Sequence, residues 1–310
     1  MARKPVALTI IFGIVALTAA APASATFPGR NGRIAYPTSE GISTAKPNGT
    51  DAHQLVAFPG ARDPAWSADG KRLAFVAPGG KGHLLVYVVR AGGKHPRRVS
   101  RAGVDRWQPS WSPDGKELAV LGTAPPVNGL NRAHVIVLDI ATGHERQLVD
   151  TTAGGNFGDV EWSPDGGAIA FTGEPDMFLV SPAGGTPVQV THQPTGSESS
   201  PSRPVRELSW APGGRRIAFS EEWGCDCDDD INLAVIRRDG SGRHDFDSGP
   251  TERAPAWSPD AKAIDFCHYQ PFFTPFATWT MRPDGSGQRE VLGGVECGVA
   301  WQALPRNRRH

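Results

Sequence analysis

Apolar residues in this chain come in short alternating triplets separated by turn residues. A bulky-Ala-bulky triplet recurs as Leu73-Ala74-Phe75, Leu118-Ala119-Val120, Ile169-Ala170-Phe171 and Ile217-Ala218-Phe219, with a fifth copy at Ile264-Asp265-Phe266. Period two places the bulky pair on one face of a strand and Ala on the other. A Trp and a turn precede each triplet: Trp66-Ser67-Ala68-Asp69-Gly70, Trp111-Ser112-Pro113-Asp114-Gly115, Trp162-Ser163-Pro164-Asp165-Gly166, Trp210-Ala211-Pro212-Gly213-Gly214 and Trp257-Ser258-Pro259-Asp260-Ala261. Pro presets φ at the second turn position and Gly accepts positive φ at the end, which predicts a tight hairpin. The Trp-to-Trp spacings are 45, 51, 48 and 47, and 44 more residues reach Trp301.

A second turn follows each strand pair, at Gly92-Gly93, Thr142-Gly143, Gly184-Gly185, Asp239-Gly240 and Asp284-Gly285, and a short strand such as Arg146-Gln147-Leu148-Val149 comes after it. Each unit therefore predicts four strands, and four-stranded units of about 40–50 residues are the signature of propeller blades. Pro64, Pro109 and Pro255 stand two residues before their Trp. Proline cannot donate to a ladder, so the Trp strand is an edge and lines the central channel. The Trp itself is expected to pack between blades. The first repeat, from Gly32-Arg33-Ile34-Ala35-Tyr36, lacks a Trp strand, and the last has only Gly298-Val299-Ala300-Trp301. Joining the two closes a six-bladed, all-β ring with the C-terminal strand.

The Trp-Ser-Pro-Asp-Gly…Ile-Ala-Phe repeat resembles the WD40-like propeller repeat of the TolB family, over about residues 30 to 303. The resemblance implies the fold. It says little of activity, because propellers host many functions. TolB carries an α/β domain ahead of its propeller, and here too few residues precede the first strand for one. Similar repeats occur in prolyl-oligopeptidase-type propellers, whose hydrolase domain needs a Gly-x-Ser-x-Gly elbow that this sequence lacks.

Composition fits this picture. Gly (37), Pro (28) and nine Trp describe a turn-dense β protein, and 39% hydrophobic with 21% charged residues excludes a disordered or fibrous class. A length-only prior for 310 residues is about two domains, which the single repeat array replaces. Lys plus Arg equals Asp plus Glu, at 32 each, so the chain as a whole has no basic excess for nucleic acid or an anionic membrane. At the N-terminus, basic Ala2 to Lys4, apolar Val6 to Ala20 and the small residues Ala23-Ser24-Ala25 read as a secretory signal peptide, with an uncleaved anchor as the alternative. Residues 1–25 are thus expected to be the signal, 26–305 the propeller, and the basic stretch 306–310 a frayed tail. Removing Arg3 and Lys4 leaves a charge of −2. No later segment is apolar enough to insert stably in a membrane, and the expected location is secreted or extracytoplasmic.

Strand order sends the loops after second and fourth strands to one rim, here called the top. Loops Gly122 to Ala133, His192 to Val205, Glu221 to Ile231 and Cys267 to Thr278 vary most, and variable loops on a rigid scaffold are where binding sits. Tyr269, Phe272, Phe273 and Phe276 in the last form either an adhesive patch or a loop core. All four Cys map to this rim, and an exported chain is expected to oxidise them. The favoured pairing is Cys267 with Cys297. That leaves Cys225 with Cys227 in a small ring, with a bridge such as Cys227 to Cys267 as the alternative. The cluster Asp226, Asp228, Asp229 and Asp230 reads as a solvated acidic loop, with a structural Ca2+ as the alternative. His83, His134, His192 and His268 lie near the top on separate blades. They read as separate imidazoles, or, if they converge, as metal ligands like those of propeller-type uronate lyases. Asp265 replaces the Ala of its strand and needs a partner.

The leading expectation is a secreted, non-enzymatic binding module without a cofactor, holding an envelope protein or glycan. The alternatives are a metal-dependent lyase or hydrolase of a sugar acid or lactone at the channel mouth, and a TolB-like accessory of an envelope complex.

Overall fold

Each repeat folds into a four-stranded antiparallel sheet, and six such sheets make up the molecule. The computed structural model describes residues 26–127, 130–150, 158–173, 175–193, 203–223, 230–246, 252–268, 276–294 and 297–305. Blade 2 shows the plan: Arg62–Trp66, Arg72–Pro78, Leu84–Arg90 and Arg97–Arg98, in sequence order across the sheet. Blades 3 to 6 begin at Arg106–Trp111, Val160–Trp162, Val205–Trp210 and Glu252–Trp257. Every Trp strand pairs on one side only, as Pro64, Pro109 and Pro255 require in blades 2, 3 and 6. Apart from a 3₁₀ turn at Gly80–Gly82, the described residues contain no helix.

Blade 1 is closed by the chain's end. Its inner strand is Ala300–Leu304, antiparallel to Arg30–Thr38, with Ile34 opposite Trp301 and Ala35 opposite Ala300. Further bonds tie this closure to its neighbours. Gln302 Nε2 donates to Gly70 O of blade 2 (2.7 Å), and Gly29 N donates to Pro259 O of blade 6 (3.0 Å).

The core is divided into six apolar clusters, one at each seam between blades. Trp66, Leu73 and Phe75 of blade 2 meet Ile42 and Val56 of blade 1, while Ala74 of the same strand faces Trp111 and Val120 of blade 3. The alternation therefore sends the bulky pair to the preceding blade and Ala to the following one. A small residue on one side leaves room for the next blade's Trp, and twisted sheets interdigitate. Trp111, Trp210 and Trp257 are all buried at these seams. Arg72 and Arg216 cover the rings of Trp111 and Trp257 at 4.6 and 5.1 Å.

The Ser-x-Asp turns are held alike. Ser112 Oγ donates to Asp114 Oδ1 (2.8 Å), and Lys116 N donates to the same oxygen (3.0 Å). The bonds recur at Ser67, Ser163 and Ser258. Gly70, Gly115, Gly166 and Gly214 close these turns with φ of 65 to 76°, and Ala261 adopts 61° in the fifth.

Two segments expected to be loops are instead strand. Glu117–Val127 and Leu130–Asp139 extend one hairpin through most of Gly122 to Ala133, and Leu130 lies opposite Val127. Arg216–Trp223 pairs with Asp230–Arg237 out to Trp223 opposite Asp230. A projecting hairpin satisfies its own main-chain groups by continuing the ladder, whatever its side-chain pattern.

Candidate functional site

The channel wall is built from the residue three positions before each repeat Trp: Asp63, Gln108, Asp159, Glu207, Ala254 and Gly298. In four blades the inner strand bulges here, between Arg62 and Ala65, Trp107 and Ser110, Val205 and Leu208, and Arg253 and Ala256. Asp63, Gln108 and Ala254 take positive φ of 52 to 53°. The bulge turns each side chain toward the next blade. Asp63 Oδ2 accepts from Gln108 N (3.4 Å) and Asp159 Oδ2 from Leu208 N (2.7 Å). The Ala254 backbone faces Glu207, which also accepts from Ser220 Oγ. Carboxylates thus staple blades 2 to 3, 4 to 5 and 5 to 6 around the channel. Burial pushes Asp63 up to about 6. Burial also raises Asp159 well above the carboxylate range, and the charges of Glu207 and Asp63 add to that. The sequence signal for this belt was the acid in three of six equivalent repeat positions, which sequence reading passed over.

Glu161 lies two residues beyond Asp159 and is fully buried, with no hydrogen bond to either carboxyl oxygen. Burial, with the Asp159 charge, raises its pKa well above the ordinary value. The equivalent Ser110 and Ser209 accept from Trp162 N and Trp257 N of the following blades.

On the top rim the four histidines occupy blades 2, 3, 4 and 6. His83 Nδ1 lies 3.3 Å from Asp105 Oδ1, which also accepts from Leu84 N. His134 is half-buried in its strand, and His192 is exposed. Among the described residues no three His, Cys, Asp or Glu side chains are grouped as a metal site. Cys225, Cys227, Asp226, Asp228 and Asp229 lie outside the described residues, as do Tyr269, Phe272 and Phe273. Asp230 starts a strand, and Phe276 is half-buried.

The richest corner is on blade 6. Here His268 packs against Trp279 with ring centroids 4.9 Å apart, and its Nδ1 is 3.8 Å from Glu252 Oε1. Burial lowers the His268 pKa, so the ring is neutral at neutral pH. In the ladder between Ile264–His268 and Ala277–Met281, His268 stands opposite Ala277 and Trp279 opposite Phe266, and Trp279 also packs against the apolar cluster between blades 5 and 6. Trp279 was missed from the sequence. It is one of three Trp outside the repeat, a distinction that was available.

The Cys267–Cys297 disulfide closes this corner, with Cα atoms 5.3 Å apart. It joins blade 6 to the segment leading into the closing strand, across a separation of 30 residues. A loop of this size corresponds to about 3–4 kcal/mol in the chain-entropy account. Replacing both Cys267 and Cys297 by Ala is expected to lower the Tm by about 6–12 °C, read by calorimetry.

The six sheets define a six-bladed β-propeller, a fold that TolB proteins share. TolB from Acinetobacter baumannii superposes on it with a TM-score of 0.69, at 20% identity over 88% of this chain and 67% of its own. A chain of the nidogen/laminin complex gives 0.67, at 10% identity over 88% of this chain and 99% of its own. An oligogalacturonate lyase in complex with manganese gives 0.58, at 14% identity over 81% of this chain and 70% of its own. At such identities the likeness establishes the fold alone. No protein-family model matches the chain, and no curated protein matches its sequence.

Proposed function

We propose that this chain is an extracytoplasmic, non-enzymatic binding scaffold that holds an envelope protein or glycan at the blade 6 corner of its top rim. The observation that carries the reading is the half-buried His268–Trp279 pair, on a rim locked by the Cys267–Cys297 disulfide. Amphipathic rings on a rigid frame supply large contact area at small entropic cost, for a peptide or for the face of a sugar ring. The neutral imidazole adds a donor or an acceptor. Carboxylates along the channel are engaged with neighbouring blades, which favours binding over acid-base work there. The export pattern in residues 1–25 and the disulfide support an oxidising compartment. Among the described residues no helix is long and apolar enough to cross a membrane.

The test is crosslinking capture from envelope extract with the full chain and with Trp279→Ala. The reading expects a specific partner or glycan fraction retained by the native chain and lost at least about tenfold with the variant. The competing lyase reading is tested in parallel by incubating the chain with oligogalacturonate, with and without manganese, and following the ultraviolet absorbance of unsaturated product. Metal-dependent turnover, or retention unchanged by the variant, overturns the proposal.

A further inference from the structure

The chain's neutral total hides a segregated charge. From Gly70 to Val104 there is no Asp or Glu, yet the stretch carries eight Lys or Arg and two His. It forms most of blade 2. On the rim opposite the blade 6 corner, where blade 2 meets blade 3, these side chains surround a cavity of about 710 Å³. Arg72, Arg90, Lys94, His95 and Arg97 line it, over an apolar floor that includes Val88 and Ile140, and no carboxylate lines it.

Two of these bases are held in place from the adjoining blade. Arg72 Nη2 donates to Gly115 O and Arg97 Nη2 to Ile140 O, each at 2.9 Å. Both forks keep further donors for a ligand. Arg90 stands directly opposite Arg72 in the ladder between Arg72–Pro78 and Leu84–Arg90. Like charges facing each other across a ladder destabilise it. Among the described residues none of Arg72, Arg90, Lys94 or Arg97 forms an ion pair.

The other repeats serve as internal controls. The equivalent turns of blades 3, 5 and 6 are held by an acid: Asp139 accepts from Thr142 N, Asp239 from Ser241 N and Asp284 from Ser286 N. Blade 5 repeats the facing arginines at Arg216 and Arg237, with Asp239 beside Arg237 as Asp69 stands beside Arg72 in blade 2. The blade 2 turn has Gly92-Gly93 followed by Lys94 and His95, and Gly93 alone supplies its positive φ of 73°. The fold does not need bases at this turn.

We propose that the cavity between blades 2 and 3 is a binding site for an organic phosphate, with the phosphoryl group among Arg72, Arg90 and Arg97 and the organic part against Val88 and Ile140. Guanidinium forks match phosphate oxygens two at a time, and a phosphoryl group of charge near −2 offsets the facing arginines better than a single carboxylate does. The volume lies within the usual range for small-molecule pockets, about 300–1,000 Å³. The ligand is either a free sugar phosphate or one unit of a phosphate-bearing polymer, which share this chemistry. The site is on the opposite rim from the blade 6 corner, so its failure leaves the scaffold reading standing.

The experiment is titration calorimetry on the full chain at physiological salt, with glucose 1-phosphate, glucose and poly(glycerol phosphate) as probes. Glucose 1-phosphate is expected to bind and glucose is not. The exposed double variant Arg90→Gln/Lys94→Gln is expected to weaken binding at least about tenfold with a Tm no lower than that of the native chain, while Arg282→Gln on blade 6 leaves binding unaltered. Similar affinity for monomer and polymer units assigns the free compound as the source, and affinity that rises with chain length assigns the polymer. Absence of binding by both phosphate probes, equal binding of glucose, or equal losses in the two variants overturns the proposal.

Discussion

Deleting residues 298–310 is expected to lower the Tm by at least about 10–20 °C and to expose apolar surface that binds a hydrophobic dye. The segment removed holds the strand Ala300–Leu304, the only inner strand that blade 1 has. Val299, Ala300, Trp301 and Ala303 are buried in it. Trp301 packs with Ile34, Tyr36 and Ala256 at the seam between blades 6 and 1. Losing one buried Trp side chain costs about 3–5 kcal/mol, and the whole stability of a domain is about 5–15 kcal/mol. The deletion also removes the Gln302 bond to Gly70 and leaves Arg30–Thr38 as an unpaired edge beside the channel. Trp301→Ala, which keeps the strand, is expected to fall between the native chain and the deletion. An unchanged Tm in the deletion would show that the ring does not depend on its closing strand.

Asp265→Ala is expected to stabilise the protein, and to do so far more at pH 8 than at pH 4.5. The side chain stands in the strand position that Ala35, Ala74, Ala119, Ala170 and Ala218 fill in the other blades, and it is buried. Neither carboxyl oxygen meets a partner at good hydrogen-bond geometry, and the nearby Thr280 hydroxyl, Arg289 charge and Trp301 indole only partly offset the burial. Burial pushes its pKa up to about 7, against an ordinary value of 3.8. The folded chain therefore keeps a proton that the unfolded chain releases near pH 4. Between these values the native state binds more protons, so stability falls as pH rises, and the loss is complete above about pH 7. At 1.36 kcal/mol per unit the penalty reaches about 4 kcal/mol. Relief at pH 8 is expected as a Tm rise of about 5–10 °C, against a degree or two at pH 4.5. A gain of equal size at both pH values would place the effect in packing and not in ionisation. Asp265→Asn is expected to remove the pH dependence, gaining at pH 8 and little at pH 4.5, because the amide cannot ionise but still leaves a buried polar group poorly paired.

The blade 2 cavity and the blade 6 corner lie on opposite rims, so one scaffold offers two independent surfaces. The top rim has the variable loops that a binding face calls for. The opposite rim has repetitive turns, and the blade 2 turn carries Lys94 and His95 where Asp139, Asp239 and Asp284 hold the turns of blades 3, 5 and 6. Departures from an internal repeat are informative because the other copies show what the fold alone requires. Asp265, Glu161 and the bases of the Gly92-Gly93 turn are all such departures.

The strands, the six-fold count and the closure by Trp301 were legible in the sequence because each depends on short-range pattern. Period two, turn chemistry and proline's missing donor act within a few residues, and the repeat states the turn five times and the proline three. The same ring closure favoured Cys267 with Cys297, and the structure decided it against the alternative of Cys227 to Cys267. Only the tertiary structure decided which blade each alternating face meets, and hence that Asp63, Asp159 and Glu207 staple neighbouring inner strands. Those contacts run between residues about 45–50 positions apart, and no local rule specifies them. The continuation of the ladder past Gly122 and Glu221 and the seating of His268 on Trp279 were likewise settled in three dimensions. So was the gathering of Arg72, Arg90 and Arg97 into one cavity, which a neutral total charge concealed. Pattern sets what each segment becomes, and packing between segments sets which side chains are left facing a ligand.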